Sequence, residues 1–69
     1  MTGTIKHLIK QASGGVIAPD EKGSDVFFHR SALKAVGYDQ LHTGDHVWYN
    51  TDDDPRFKAV EAVEVELLP

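Results

Sequence analysis

The sequence predicts an all-β fold, with five short strands closing into a small antiparallel barrel and one short helical turn after the third strand. Three observations lead there. Apolar and polar residues alternate with a period of two in several short runs. Breaks rich in Gly, Asp and Pro separate those runs. Sixty-nine residues make one domain with a small core, and closure into a barrel removes the sheet edges that such a chain would otherwise expose.

The elements follow in order. Thr2 to Gln11 reads as a strand, with Ile5, His7 and Ile9 alternating against Thr4, Lys6 and Lys10. Ser13-Gly14-Gly15 is a turn signal, and Val16-Ile17-Ala18 resumes as a second strand that Pro19 ends, giving a hairpin. Asp20 to Ser24 is a second polar turn. Asp25-Val26-Phe27-Phe28-His29 is the third strand, with Val26 and Phe28 on one face and Phe27 and His29 on the other. Ser31 is placed to cap a helical turn through Ala32-Leu33-Lys34, which Gly37 stops. Tyr38 to Asp45 is a loop. His46 to Asn50 is the fourth strand, its Val47 and Tyr49 opposed to Trp48. Asp52-Asp53-Asp54-Pro55 turns the chain into a fifth strand, Phe57 to Leu67. There Val63, Val65 and Leu67 point one way and Glu64 and Glu66 the other, with a bulge expected at Ala59-Val60.

The third strand carries the functional signal. With Val26 and Phe28 in the core, Phe27 and His29 face water, and Arg30 follows them. An aromatic ring beside two groups that can carry positive charge suits bases and phosphates. Net charge is −4, against nonspecific polyanion binding by the whole surface. The charge is uneven, however: residues 1–34 hold five Lys/Arg against three acids, a balance of +2, and residues 35–69 hold a balance of −6. Only the first half suits a polyanion.

Other chemistries find no support. There is no cysteine for a disulfide or a thiolate metal site. His42 and His46 are separated by a loop glycine, so no helix face aligns them as ligands. The Asp52–Asp54 run lacks the alternation of a calcium loop. No phosphate-loop or nucleophile-elbow spacing occurs, so neither catalysis nor a cofactor is expected. No apolar run spans a bilayer and no signal pattern opens the chain, so the expected location is cytoplasmic, with no membrane partner.

Taken together, these residues resemble the cold-shock domain family across nearly the whole chain. Gly3-Thr4-Ile5-Lys6 is similar to that family's opening, and Asp25-Val26-Phe27-Phe28-His29 with Ser31-Ala32-Leu33 is similar to its second nucleic-acid motif. Gly37-Tyr38, Leu41 and Gly44 fall in its long loop, and Ala59 with Val63 in its last strand. The resemblance implies a five-stranded OB-type barrel that binds single-stranded RNA or DNA, as a chaperone or regulator of transcript structure. It implies a site at Lys6, His7, Phe27, His29, Arg30, Tyr38 and Arg56. Its first motif, Lys-Gly-Phe-Gly-Phe-Ile, is Ala12-Ser13-Gly14-Gly15-Val16-Ile17 here, so two rings are replaced by Gly14 and Val16. His7 and Arg30 stand where the family usually has further rings. Each stacked base is worth about 1–3 kcal/mol, so several lost rings cost roughly 3–4 kcal/mol. Binding is therefore expected to be weak, salt-dependent and low in sequence preference. Protonation of His7 and His29 is expected to tighten it on going from alkaline to acidic solution.

A second reading is a protein-interaction or oligomerisation module of the same fold. It rests on the lost motif, the acidic second half and Trp48, whose strand parity turns it outward as a patch for a protein partner. The expected state is a monomer or weak homodimer.

Overall fold

A computed structural model describes residues 1–21, 23–51 and 61–69 of the chain. Five strands, β1 (Thr2–Ile9), β2 (Gly14–Pro19), β3 (Val26–His29), β4 (His46–Thr51) and β5 (Glu61–Leu67), close into a barrel in the order β1-β2-β3-β5-β4. Four of the pairings are antiparallel, and the parallel pairing of β3 with β5 completes the closure. Short 3₁₀ turns lie at Lys10–Ala12, Arg30–Ala32 and Tyr38–Gln40. The turn after the third strand is therefore present, and the loop from Tyr38 to Asp45 holds a further one.

Alternation fills the core. Ile5, Ile17, Val26, Phe28, Val47, Tyr49 and Val65 point inward, joined by Ala32, Leu41 and Ala62. Burying a side chain of the size of Phe28 or Ile17 contributes about 1.5–3 kcal/mol. No helix among the described residues is long and apolar enough to cross a membrane.

Two bulges shift the alternation read from the sequence. In β1, Ile5 pairs with Ile17 but His7 pairs with Val16, leaving Lys6 as the extra residue. Beyond it the parity reverses, so His7 and Ile9 share the outer face and Leu8 packs against the core. In β5, Glu64 pairs with Asn50 while Ala62 pairs with Thr51. Val63 is the residue left over, and it is 46% exposed instead of sharing the buried side of Val65. Leu67, also expected inside, is 41% exposed where β5 ends. The bulge expected at Ala59-Val60, the Asp52–Pro55 turn and the first residues of the fifth strand lie outside the described residues.

The first hairpin turns earlier than Ser13-Gly14-Gly15 suggests. Lys10–Ala12 makes the turn, Ser13 takes the left-handed conformation at φ 50°, and both glycines already belong to β2. Their role is close approach of strands. A Cβ on Gly15 would lie 2.6 Å from the His7 carbonyl oxygen and 2.8 Å from the Phe28 ring.

The turn after β3 is also capped differently. His29, not Ser31, is the capping residue: its Nδ1 accepts the Ser31 backbone N–H at 3.2 Å. The turn ends at extended Leu33, well before Gly37, which instead opens the Tyr38–Gln40 turn. Between them Lys34 N–H donates to the Val65 carbonyl at 2.9 Å, and Ala35 is left-handed at φ 58°. A left-handed alanine costs about 1–2 kcal/mol, and glycine gives back about 0.4–1 kcal/mol through the unfolded chain. Ala35→Gly is therefore expected to raise stability by about 0.5 kcal/mol, read from the urea midpoint. An unchanged or lower midpoint would contradict this.

Asp20 ties three strands at the surface. Its carboxylate accepts from Thr2 Oγ1 at 2.7 Å and lies 2.8 Å from His46 Nε2, and its N–H donates to the Thr2 carbonyl at 3.0 Å. The hydrogen bond from His46, and then that from Thr2, hold the carboxyl below its ordinary value of 3.8. A depressed carboxylate contributes stability that is full above that value and is lost as pH falls through the lowered one. Asp20→Asn should therefore flatten the loss of thermal stability on acidification below pH 3.8. An acid limb as steep as that of the parent protein would rule the contribution out.

Candidate nucleic-acid interface

The register assembles one open face on β1, β2 and β3. His7, Val16 and Phe27 stand side by side in one row across these strands, and Ile9, Gly14 and His29 form the next. Core residues alternate with both rows, so these side chains project outward. His7 is exposed, Ile9 is 39% exposed, and Phe27 and His29 are half-buried. Phe27 leans over its glycine neighbour: its Cζ lies 3.1 Å from where a Gly14 Cβ would be. Beyond Phe27 the row ends at Glu61 on β5, an exposed carboxylate that closes the face to polyanions on that side.

Past His29 the face runs into an open groove of about 1140 Å³. Leu8, Leu33, Val36 and Tyr38 supply its apolar lining, Lys10 and Arg30 its cationic one, and His29 lies beside them. Arg30 is exposed, and its backbone N–H donates to the Ser13 carbonyl at 2.7 Å, fixing the start of the turn against the first hairpin. Tyr38 is half-buried, and its hydroxyl donates to the Gly14 carbonyl at 2.6 Å. That bond holds the Tyr38–Gln40 turn against β2, so the ring is a wall of the groove as well as an apolar surface.

The expected residues thus separate. His7, Phe27, His29, Arg30 and Tyr38 come together along the face and the groove. Lys6 is displaced by the bulge and its Nζ makes an ion pair with Asp25 at 2.9 Å, so a phosphate must compete with a carboxylate for it. Arg56 lies outside the described residues. The hydrogen bond at His29 Nδ1 assigns the proton of the neutral ring to Nε2.

Ile9 and Lys10 escaped the sequence reading. The strand alternation put Ile9 on the side of the buried Ile5, and only the bulge at Lys6 turns it outward. Lys10 was read as a strand residue, whereas the 3₁₀ turn carries it to the groove. Neither shift has a signal in residue type. Among the described residues no group of three or more His, Asp or Glu side chains converges on a point as metal ligands would. On the opposite side of the barrel, Trp48 is half-buried between Thr2 and Glu66 of the neighbouring strands.

Comparison with known proteins gives a consistent result. Residues 1–68 match the model of the 'Cold-shock' DNA-binding domain. The chain is 36% identical over 66 residues to the major cold shock protein of Micrococcus luteus, covering 96% of each. It is 34% identical over 68 residues to the cold shock-like protein CspA of Stigmatella aurantiaca, covering 99% of this chain and 97% of that one. Similarity to the cold shock-like protein CspD of Vibrio cholerae is 33% over 55 residues, or 80% of this chain and 72% of the relative.

Proposed function

The chain belongs to the cold-shock domain family, and from that premise we propose that it binds single-stranded RNA or DNA on the β1–β2–β3 face, as an RNA chaperone or regulator of gene expression. The observation that supports this most is the row His7–Val16–Phe27, a ring and an imidazole open to solvent beside a groove with cationic lining. Phe27 stacks a base, His7 and His29 add planar contacts, and Arg30 neutralises phosphate and stacks in place of a ring. Tyr38 offers its ring face and keeps its hydroxyl on Gly14. Lys6 contributes in competition with Asp25, and Arg56 adds a further phosphate contact.

Binding is weak on this reading, because Gly14 and Val16 stack nothing. It involves no chemistry and no cofactor. The alternative role as a protein-interaction module through Trp48 is not favoured by the cold-shock relatives.

Fluorescence anisotropy of a labelled oligothymidine, measured across a salt series, tests the proposal. Affinity should fall steeply with salt, by about 0.7 in the logarithmic slope for each phosphate neutralised. Trp48 emission should stay nearly constant through the titration, since the ring is on the far side of the barrel. Affinity indifferent to salt, or strong quenching of Trp48, would contradict the assigned face.

A further inference from the structure

Resting on that single-strand reading, we propose that the groove beside β3 prefers guanine over adenine, and that Arg30 is the residue that reads it. The charged lining favours hydrogen-bond donors, with Lys10 and Arg30 against the one carboxylate of Asp39. Lys10 and Arg30 both line the groove, both are exposed, and neither has a carboxylate within ion-pair distance among the described residues. Lys6 and Lys34, by contrast, are paired with Asp25 and Glu64 at 2.9 and 3.0 Å. Among the described Lys and Arg residues, the cations without a carboxylate partner are thus those at the groove. His29 adds another donor, since its Nδ1 is occupied by the Ser31 N–H and Nε2 carries the proton.

Several backbone acceptors of the lining are spent within the protein: the Lys10, Ser13, Arg30, Gly37 and Tyr38 carbonyls each take a backbone N–H. Asp39 is the single carboxylate among the lining residues. A base entering such a groove gains most if its edge presents acceptors alone. Guanine offers N7 and O6 side by side, matching the two parallel donors of a guanidinium. Adenine offers N7 beside an amino group, which would meet another donor and stay unpaired. Leu33, Val36 and Tyr38 give the base an apolar bed. This preference adds to sequence-tolerant stacking on Phe27.

The test uses labelled uridine hexamers with one central guanosine or adenosine, titrated at a single low salt concentration. The guanosine oligomer should bind about fivefold tighter or more. Arg30→Lys keeps the charge and removes the fork, so the guanosine-to-adenosine ratio should fall to about one, whatever the change in overall affinity. Lys10→Ala should weaken both oligomers alike and lower the salt slope by about 0.7, as loss of one phosphate contact does. Circular dichroism confirms that each variant is folded. Equal affinities for the two oligomers, or a preference that survives in Arg30→Lys, would overturn the assignment while leaving the single-strand reading intact. Absence of binding to either oligomer would defeat both by removing the underlying reading.

Discussion

Restoring the missing ring of the first motif, by Gly14→Phe, is expected to cost about 2–3 kcal/mol of stability and to bring no gain in oligonucleotide affinity. The aromatic resemblance taken alone suggests the reverse, since a recovered ring should stack a recovered base. The backbone decides otherwise. A Cβ at Gly14 would lie 2.2 Å from the Phe28 carbonyl oxygen and 3.1 Å from Phe27 Cζ. A backbone oxygen cannot step aside as a side chain can, so β2 and β3 would have to separate where Gly14 pairs with His29. The Gly14 carbonyl is also the acceptor that holds Tyr38. Overpacking of this kind costs about 1–3 kcal/mol, and the lost hydrogen bond adds about 1 kcal/mol. For a domain of 69 residues, whose total stability is on the order of 5 kcal/mol, that is close to half. Gly14→Ala separates the two effects, since it brings the Cβ without the ring and should still lose a large part. Urea unfolding of both variants gives the measurement. A Gly14→Phe protein as stable as the parent and tighter for oligothymidine would contradict the account.

Phe27→Ala should weaken single-strand binding by about tenfold, the largest effect expected of any one side chain on the face. The reason is scarcity. Where several rings share a ligand, losing one is buffered by its neighbours. Here Phe27 is the one phenylalanine on the outer face of the described strands, flanked by Val16 and the imidazole of His7. A stacked base is worth about 1–3 kcal/mol, and the half-buried position of Phe27 favours the lower half of that range. Phe27→Tyr, which keeps the ring, should bind nearly as the parent does. Anisotropy titrations at equal salt discriminate these outcomes, with the circular dichroism spectrum as a check on folding. Equal affinity in Phe27→Ala would mean that bases do not stack there.

The sequence carried the barrel and the third strand well, for a physical reason. Val26 and Phe28 against Phe27 and His29 is an alternation that a short, regular strand cannot break, and Val47 and Tyr49 behave likewise. It failed where an extra residue enters a strand. Lys6 and Val63 look like ordinary members of their runs, yet each is the residue that its partner strand leaves unmatched. The one bulge reverses Ile9, and the other exposes Val63. Which residue bulges depends on register against another strand, which local alternation does not encode.

The candidate site was legible to a similar degree. Phe27 and His29 followed from parity alone. The cap at His29, the latch of Tyr38 on Gly14 and the pairing of Lys6 with Asp25 join residues from different elements. Glycine offered a second lesson. Gly14 and Gly15 looked like a turn because glycine serves turns most often, but here they allow β1, β2 and β3 to approach closely. The groove and its Lys10 rim arise from three connections meeting at one end of the barrel, an arrangement that residue type does not announce.

The claim on which the account turns is that unpaired bases lie on the outer face of β1, β2 and β3. The most direct measurement is an amide NMR titration of the protein with a short oligopyrimidine, run at low salt and repeated at high salt. The account predicts shifts clustered at His7, Phe27, His29 and Tyr38 that fade as salt rises, with the amides around Trp48 unmoved. Shifts that scatter over the barrel, or that gather around Trp48, would contradict it.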